Sequence, residues 1–206
     1  MPEVSQSAPE SASLDDLALA FGTDKCSAFH GYAPIYEELL RPLLAQPVRL
    51  LEIGVLGGSS IAMWAAWFRH ADARFIGIDI DTTRCMPLPD PRITILRASA
   101  TDPGLWPGIG AQDIVIDDGS HLATEQTAGF QLGWKHVSPG GVWIIEDLHT
   151  AWSAEHCPAG VNVMQFLFGL TTGMQARGAL ARARDVTTDI HSVAFHHGLA
   201  VIRKAR

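Results

Sequence analysis

Two apolar runs of strand length each end in adjacent carboxylates, Asp113-Ile-Val-Ile-Asp117-Asp118-Gly-Ser-His121 and Val142-Trp-Ile-Ile-Glu146-Asp147-Leu-His149-Thr150. A histidine follows the second acid of each pair, at His121 and His149. Carboxylates crowded together raise one another's pKa unless a cation lies between them. Hard oxygen ligands with no thiolate nearby suit Mg2+, Mn2+ or Ca2+ better than Zn2+. His121 can act as a ligand, but beside so many carboxylates an imidazole is better suited to the work of a general base. The plainer alternatives are a helix N-cap at Asp118 or Ser120 and surface ion pairing by Glu146 and Asp147. His30 and His149 are the reserve histidines, while His191, His196 and His197 read as structural or peripheral.

These acids need strands to deliver them. Continuous β-branched runs are typical of parallel strands buried on both faces, and in open α/β sheets chemistry sits just past the carboxyl ends of the strands. Val48 to Gly54 reads as a first strand, running into Val-Leu-Gly57-Gly58-Ser59-Ser60 and a helix from about Ile61 to Phe68. The spacing Glu52-x-Gly54-x-x-Gly57-Gly58 is not the GxGxxG fingerprint. An acid just ahead of the turn is a poor neighbour for a pyrophosphate and suits a ligand carrying an ammonium group. Arg74 to Asp81 is the second strand, again ending in acids. Asp79 stands where a ribose diol is held in such folds, with Asp81 as the alternative. A third strand at Arg92 to Arg97 leads into Ala98-Ser99. The fourth and fifth are Asp113–Ile116 and Gly141–Ile145, the latter after a turn at Ser138-Pro-Gly-Gly141. Helices are expected near 35–44, 124–136 and 161–170, with a mobile stretch over 151–160. Two closing runs, 189–196 and 199–203, flank Gly198 and read as a hairpin. The expected fold is therefore α/β, a Rossmann-like doubly wound sheet of seven strands, mostly parallel, with a C-terminal antiparallel hairpin.

The N-terminal part divides in two. Residues 1–13 are Ser/Pro/Glu-rich and read as a disordered leader ahead of a single domain over 14–206. Leu14, Leu17, Ala18 and Phe21 fall at helical spacing behind Ser13, a plausible N-cap, with Gly22 as the stop. Residues 14–47 form a helical region in which Asp24, Lys25, His30 and Tyr32 lie on a polar stretch, either a surface loop or a lid. The net charge of −7 argues against a nucleic-acid partner. No apolar run reaches membrane-spanning length. Three scattered cysteines, Cys26, Cys85 and Cys157, argue for a reducing, cytoplasmic setting.

Leu51-Glu-Ile-Gly-Val-Leu-Gly-Gly-Ser-Ser60, Gly77-Ile-Asp79, Ile116-Asp-Asp-Gly-Ser-His121 and Ile145-Glu-Asp-Leu-His-Thr150 resemble the S-adenosylmethionine-dependent methyltransferases. More narrowly, with Phe21-Gly-Thr-Asp-Lys25, His30 and Tyr32, they look like the metal-dependent sugar O-methyltransferases of the macrocin and mycinamicin type. The resemblance implies that Asp118, Glu146 and Asp147 hold Mg2+ (or Mn2+) and that His121 is the base. It places the methionine part of the cofactor against Glu52, Gly54, Gly57, Gly58 and Ser59, and the ribose on Asp79. Asp117 is assigned to the cofactor side. Ala98-Ser99 stand where the family often has Gly-Asp, so Ser99 is the adenine contact chosen. A glycoside or sugar acceptor and a homo-oligomer are expected, with the lid drawn from residues 22–34 and 150–160. The rivals are a catechol or carboxylate O-methyltransferase and a non-catalytic cofactor-binding partner protein.

Overall fold

The computed structural model describes residues 12–175 and 189–206. The expected leader lies almost wholly outside them, as does the whole of an Ala/Arg-rich run over 176–184. Seven strands form one sheet: β1 (Arg49–Ile53), β2 (Arg74–Asp79), β3 (Ile93–Arg97), β4 (Gln112–Asp117), β5 (Val137–Ile145), β6 (Ile190–His196) and β7 (Leu199–Lys204). Their order is β3-β2-β1-β4-β5-β7-β6. The first five are parallel, and β7 runs antiparallel to both β5 and β6. The order reverses between β1 and β4, which opens a crevice at their carboxyl ends.

Alternation along each strand builds two cores. Leu50, Ile114, Ile116, Val142 and Ile144 face one side, under helices α1 (Leu14–Phe21), α2 (Tyr32–Leu40) and α3 (Ser59–Trp67). Leu51, Ile53, Val115, Trp143 and Ile145 face the other, under α4 (Trp106–Ile109), α5 (Ala123–Gly133) and α6 (Val163–Gln175). Helix α3 is apolar nearly all round because it is sandwiched between the sheet and α1. Helix α1 opens on a reciprocal capping box between Ser13 and Asp16 and stops at left-handed Gly22. Among the described residues no helix is long and apolar enough to cross a membrane.

The structure moves several expected boundaries. Helix α2 begins at Tyr32, not Ile35, because Pro34 sits in the first turn, where its missing N–H has no partner to lose. The expected turn at 138–141 is instead an irregularity inside β5. There β4 pairs Gln112 with Val137 and then Ile114 with Val142, so the extra residues bulge out at left-handed Gly140. The stretch over 151–160, expected to be mobile, is tied down. The His156 carbonyl accepts from Ala123 N, and Asn162 Nδ2 donates to the Ala151 carbonyl.

The hairpin β6–β7 turns at Gly198, φ 72°. A Cβ there would lie 2.4 Å from Tyr32 Oη, and the Gly198 carbonyl accepts from Leu148 N at 3.0 Å. One turn thus presses on both the N-terminal segment and the segment after β5. Gly198→Ala is expected to destabilise the fold by about 2 kcal/mol, from the left-handed backbone and the forced shift of Tyr32. The midpoint of urea unfolding checks this, and an unchanged midpoint would refute it.

Candidate active site

The parallel ladder carries on past the strand ends and sets the acids in place. Asp118 N donates to Ile53 O at 2.9 Å, tying the end of β4 to β1, and Glu146 N donates to Asp117 O at 3.0 Å, tying the end of β5 to β4. Neither Asp118 nor Ser120 caps α5, whose N-cap is Leu122 with no side-chain bond. A carboxylate oxygen of Asp118, a ring nitrogen of His121 and a carboxylate oxygen of Asp147 lie within 4.8 Å of one another. His121 Nε2 stands 3.3 Å from Asp147 Oδ2, and Tyr32 donates to Asp147 Oδ1 at 2.7 Å. His121 Nδ1 is buried with no partner among the described residues. Both His121 (φ 57°) and Asp147 (φ 56°) hold the left-handed conformation, which costs about 1–2 kcal/mol for a residue with a side chain. Strain of this kind clusters where function dictates the geometry.

Glu146 stands behind this trio. It is buried, and its two oxygens accept from Lys25 Nζ at 2.9 Å and from Tyr36 Oη at 2.5 Å. The same Lys25 ammonium bonds Asp118 Oδ2 and lies 3.8 Å from Glu52 Oε1. Lys25 has no solvent exposure at all. Burial alone would lower its pKa, but Asp118, Glu146 and Glu52 together hold it well above the usual lysine range. Burial pushes Glu146 well up, and neighbouring Asp118 adds to this. Lys25, Tyr32 and Tyr36 are therefore parts of the site that strand-end reasoning does not reach. The one sequence signal for Lys25 is the Phe21-Gly-Thr-Asp-Lys25 match. Tyr32 belongs to the same match, and nothing marks Tyr36 apart from its place on the segment that follows.

Beside the acids lies a cavity of about 620 Å³, walled by the loops after β1, β2, β3 and β4. Gly54, Gly57, Ser59, Asp79, Ser99 and Asp117 all line it. Gly54 (φ 84°) is where two loops nearly touch: a Cβ there would fall 2.1 Å from the Asp118 carbonyl oxygen. Asp79 braces the glycine turn, with Oδ2 accepting from Val55 N and Leu56 N, each at 3.0 Å. Asp117 sits at the floor, and burial raises its pKa to about 7, so it can carry a proton near neutrality. Two expected cofactor contacts are placed elsewhere. Gly58 packs towards Cys85 and Leu88. Glu52 is fully buried behind the turn, where it accepts from Ser60 Oγ at 2.9 Å and Trp64 Nε1 at 3.3 Å, and burial raises its pKa to about 7. The ammonium nearest it is that of Lys25. His30 and His149 stack at 6.1 Å, and His30 stacks on Tyr32 at 5.1 Å, on the Asp147 side of the site.

No family model matches the chain. It is 32% identical over 211 residues to the 8-demethyl-8-alpha-L-rhamnosyl tetracenomycin-C 2'-O-methyltransferase of Streptomyces olivaceus, covering 93% of this chain and 54% of that enzyme. It is 34% identical over 150 residues to the demethylmacrocin O-methyltransferase of Streptomyces fradiae, covering 68% of this chain and 37% of that one. The chain thus spans about half the length of these curated relatives or less. Among solved structures it superposes on the MycE methyltransferase of the mycinamycin biosynthetic pathway, in complex with Mg, SAH and mycinamycin VI. The TM-score is 0.82 at 28% identity, over 96% of this chain and 56% of that one. With those relationships the chain has the class I methyltransferase fold and is a homologue, over about half their length or less, of sugar O-methyltransferases of the macrocin and mycinamicin type.

Proposed function

We propose that the chain is an S-adenosylmethionine-dependent, Mg2+-assisted O-methyltransferase acting on a sugar or vicinal-diol hydroxyl of a glycosylated small molecule. The observation that carries this is the joining of two sites at one crevice. A cavity over a glycine turn is lined by Asp118 and His121, two members of the trio that Asp147 completes. The donor set is oxygen-rich, and His121 adds a buried Nδ1 with no partner among the described residues. Such a set fits a hard divalent ion. Asp118 and Asp147, with Glu146 behind them, would hold the ion. There it would withdraw charge from an acceptor hydroxyl and ease loss of its proton. The cofactor supplies, when bound, an electrophilic methyl on a sulfonium.

The rest falls to the chain's own groups. The turn at Gly57 leaves room for a ligand to approach the backbone, and Asp79, at the end of β2, would accept from a ribose diol. His121 Nε2, oriented by Asp147, takes the acceptor proton as general base. The walls exclude water and hold the hydroxyl in line, which matters because a sulfonium is already reactive and catalysis is then chiefly positioning. A sugar acceptor is favoured over a catechol because the relatives' names specify rhamnosyl and olivosyl acceptors.

Calorimetry should show S-adenosylhomocysteine binding to the protein, and a panel of glycosides and catechols should yield methylated product only with a divalent ion present. His121→Ala is expected to lower turnover by about 10²–10⁴-fold with little change in cofactor affinity. Turnover that survives both EDTA and this substitution would remove the ion and the base from the scheme. Lys25→Met would leave Glu52, Asp118 and Glu146 without their shared cation. A loss of about 3–5 kcal/mol in the unfolding free energy is expected, measured by urea titration in EDTA. Stability within 1 kcal/mol of the parent, roughly the worth of a surface pair, would show that the ammonium is dispensable.

A further inference from the structure

Helix α5 carries a side chain that the reaction just described does not use. Gln126 is 2% exposed, lines the cavity, and has neither amide atom, Oε1 or Nε2, paired within the described residues. A buried amide with both ends unsatisfied costs about 1–3 kcal/mol for each unmet group, which a folded protein does not retain without a partner to meet it. The amide also has a defined place. Gly129, one turn further along α5, faces Ala100, where a Cβ would lie 3.5 Å from Ala100 Cβ. Residues three apart share a helix face. Gln126 therefore stands on the face of α5 turned to the loop after β3, one turn nearer the carboxyl ends of the strands. Ser99, Ala100 and Thr101 of that loop form the cavity wall beside it. Ser99 and Thr101 bond each other, Oγ to Oγ1 at 2.8 Å, so their hydroxyls are already partnered.

We propose that Gln126 reads the adenine edge of the cofactor. This rests on the cofactor assigned under Proposed function and supplies the base contact that Ser99 was expected to make. A primary amide presents one acceptor and one donor side by side in a plane. Adenine presents the complement, an exocyclic amino donor next to a ring-nitrogen acceptor, which is the pairing by which Asn and Gln select adenine elsewhere. With the ribose at Asp79 on β2, the base extends past the end of β3 into the space between the 98–101 loop and α5. Binding then satisfies two polar groups that are buried and idle in the free protein. The edge read is N6 with N7; there a purine with a carbonyl at position six presents two acceptors, so the amide oxygen meets an acceptor whichever way the amide is turned, and binding is weakened.

The test is calorimetry with two probes, S-adenosylhomocysteine and S-inosylhomocysteine, on the full chain. The parent is expected to bind the adenosine compound at least tenfold more tightly. Gln126→Leu should lose tenfold or more in affinity for S-adenosylhomocysteine and bind the two compounds within about threefold of each other. Its unfolding midpoint should match or exceed that of the parent, because the substitution removes two unsatisfied groups; a merely structural glutamine would give the opposite. Equal affinity of parent and variant for S-adenosylhomocysteine overturns the proposal, as does a parent that does not distinguish the two compounds. The second comparison needs no variant, so it stands even if Gln126→Leu fails to fold. Failure of the parent to bind either compound refutes the cofactor assignment itself, and the role of Gln126 falls with it.

Discussion

One buried ammonium holds the acidic end of the sheet together. Glu52 at β1, Asp118 beyond β4 and Glu146 beyond β5 come from three neighbouring strands, and Lys25 Nζ reaches all of them. Desolvation works against every one of these charges. Glu52, Asp118 and Glu146 are all pushed towards the neutral form by burial, and Lys25 opposes that in each case. Two tyrosines complete the arrangement by donating to Glu146 and Asp147. The three donors, Lys25, Tyr32 and Tyr36, all belong to the segment between α1 and the end of α2. That segment is therefore a wall of the site and not a solvated surface loop.

Strands and their acid ends were readable because parallel strands covered on both faces need unbroken apolar runs, and an abrupt change to acids marks where such a run leaves the sheet. Asp117, Asp118, Glu146 and Asp147 carry that signal plainly. Lys25 carries the opposite one. A lysine in a polar, glycine-flanked stretch has the composition of a solvated turn, and its burial depends on carboxylates about 90 to 120 residues away in the chain. Glu52 shows the same limit from the other side. An acid before a glycine turn does call for an ammonium partner, but sequence spacing cannot say whether that ammonium belongs to a ligand or to the chain. At β5 the ambiguity is local. Ser-Pro-Gly-Gly meets the needs of a turn and of a bulge equally, and only the pairing with β4 decides between them.

Cavity and acids depend on one another through backbone as well as charge. Gly54 and the Asp118 carbonyl approach too closely for any side chain at position 54, so the glycine turn and the acidic loop can exist only side by side. Asp79 fixes the other flank of the same turn through two backbone amides. The carboxyl ends of β1, β2 and β4 thereby form one rigid rim, on which the cavity and the trio of Asp118, His121 and Asp147 are set at a fixed spacing.

Rigidity of this rim also explains where the strained residues lie. Of the four described non-glycine residues with positive φ, Ala159 lies elsewhere and three lie here: His121 and Asp147 face each other across the crevice, and Leu56 lines the cavity. Each would relax to an ordinary conformation if its loop were free. Here each loop is pinned at its base by the extended ladder, Asp118 N to Ile53 O and Glu146 N to Asp117 O, before the strained residue is reached. The ladder delivers a carboxylate at the strand end, and the left-handed residue that follows turns the chain back, so that the next functional group points into the crevice rather than along the strand. The abrupt apolar-to-acid boundary in the sequence and the strain in the structure are thus two consequences of one requirement, that reactive groups from separate strands converge within a few ångströms.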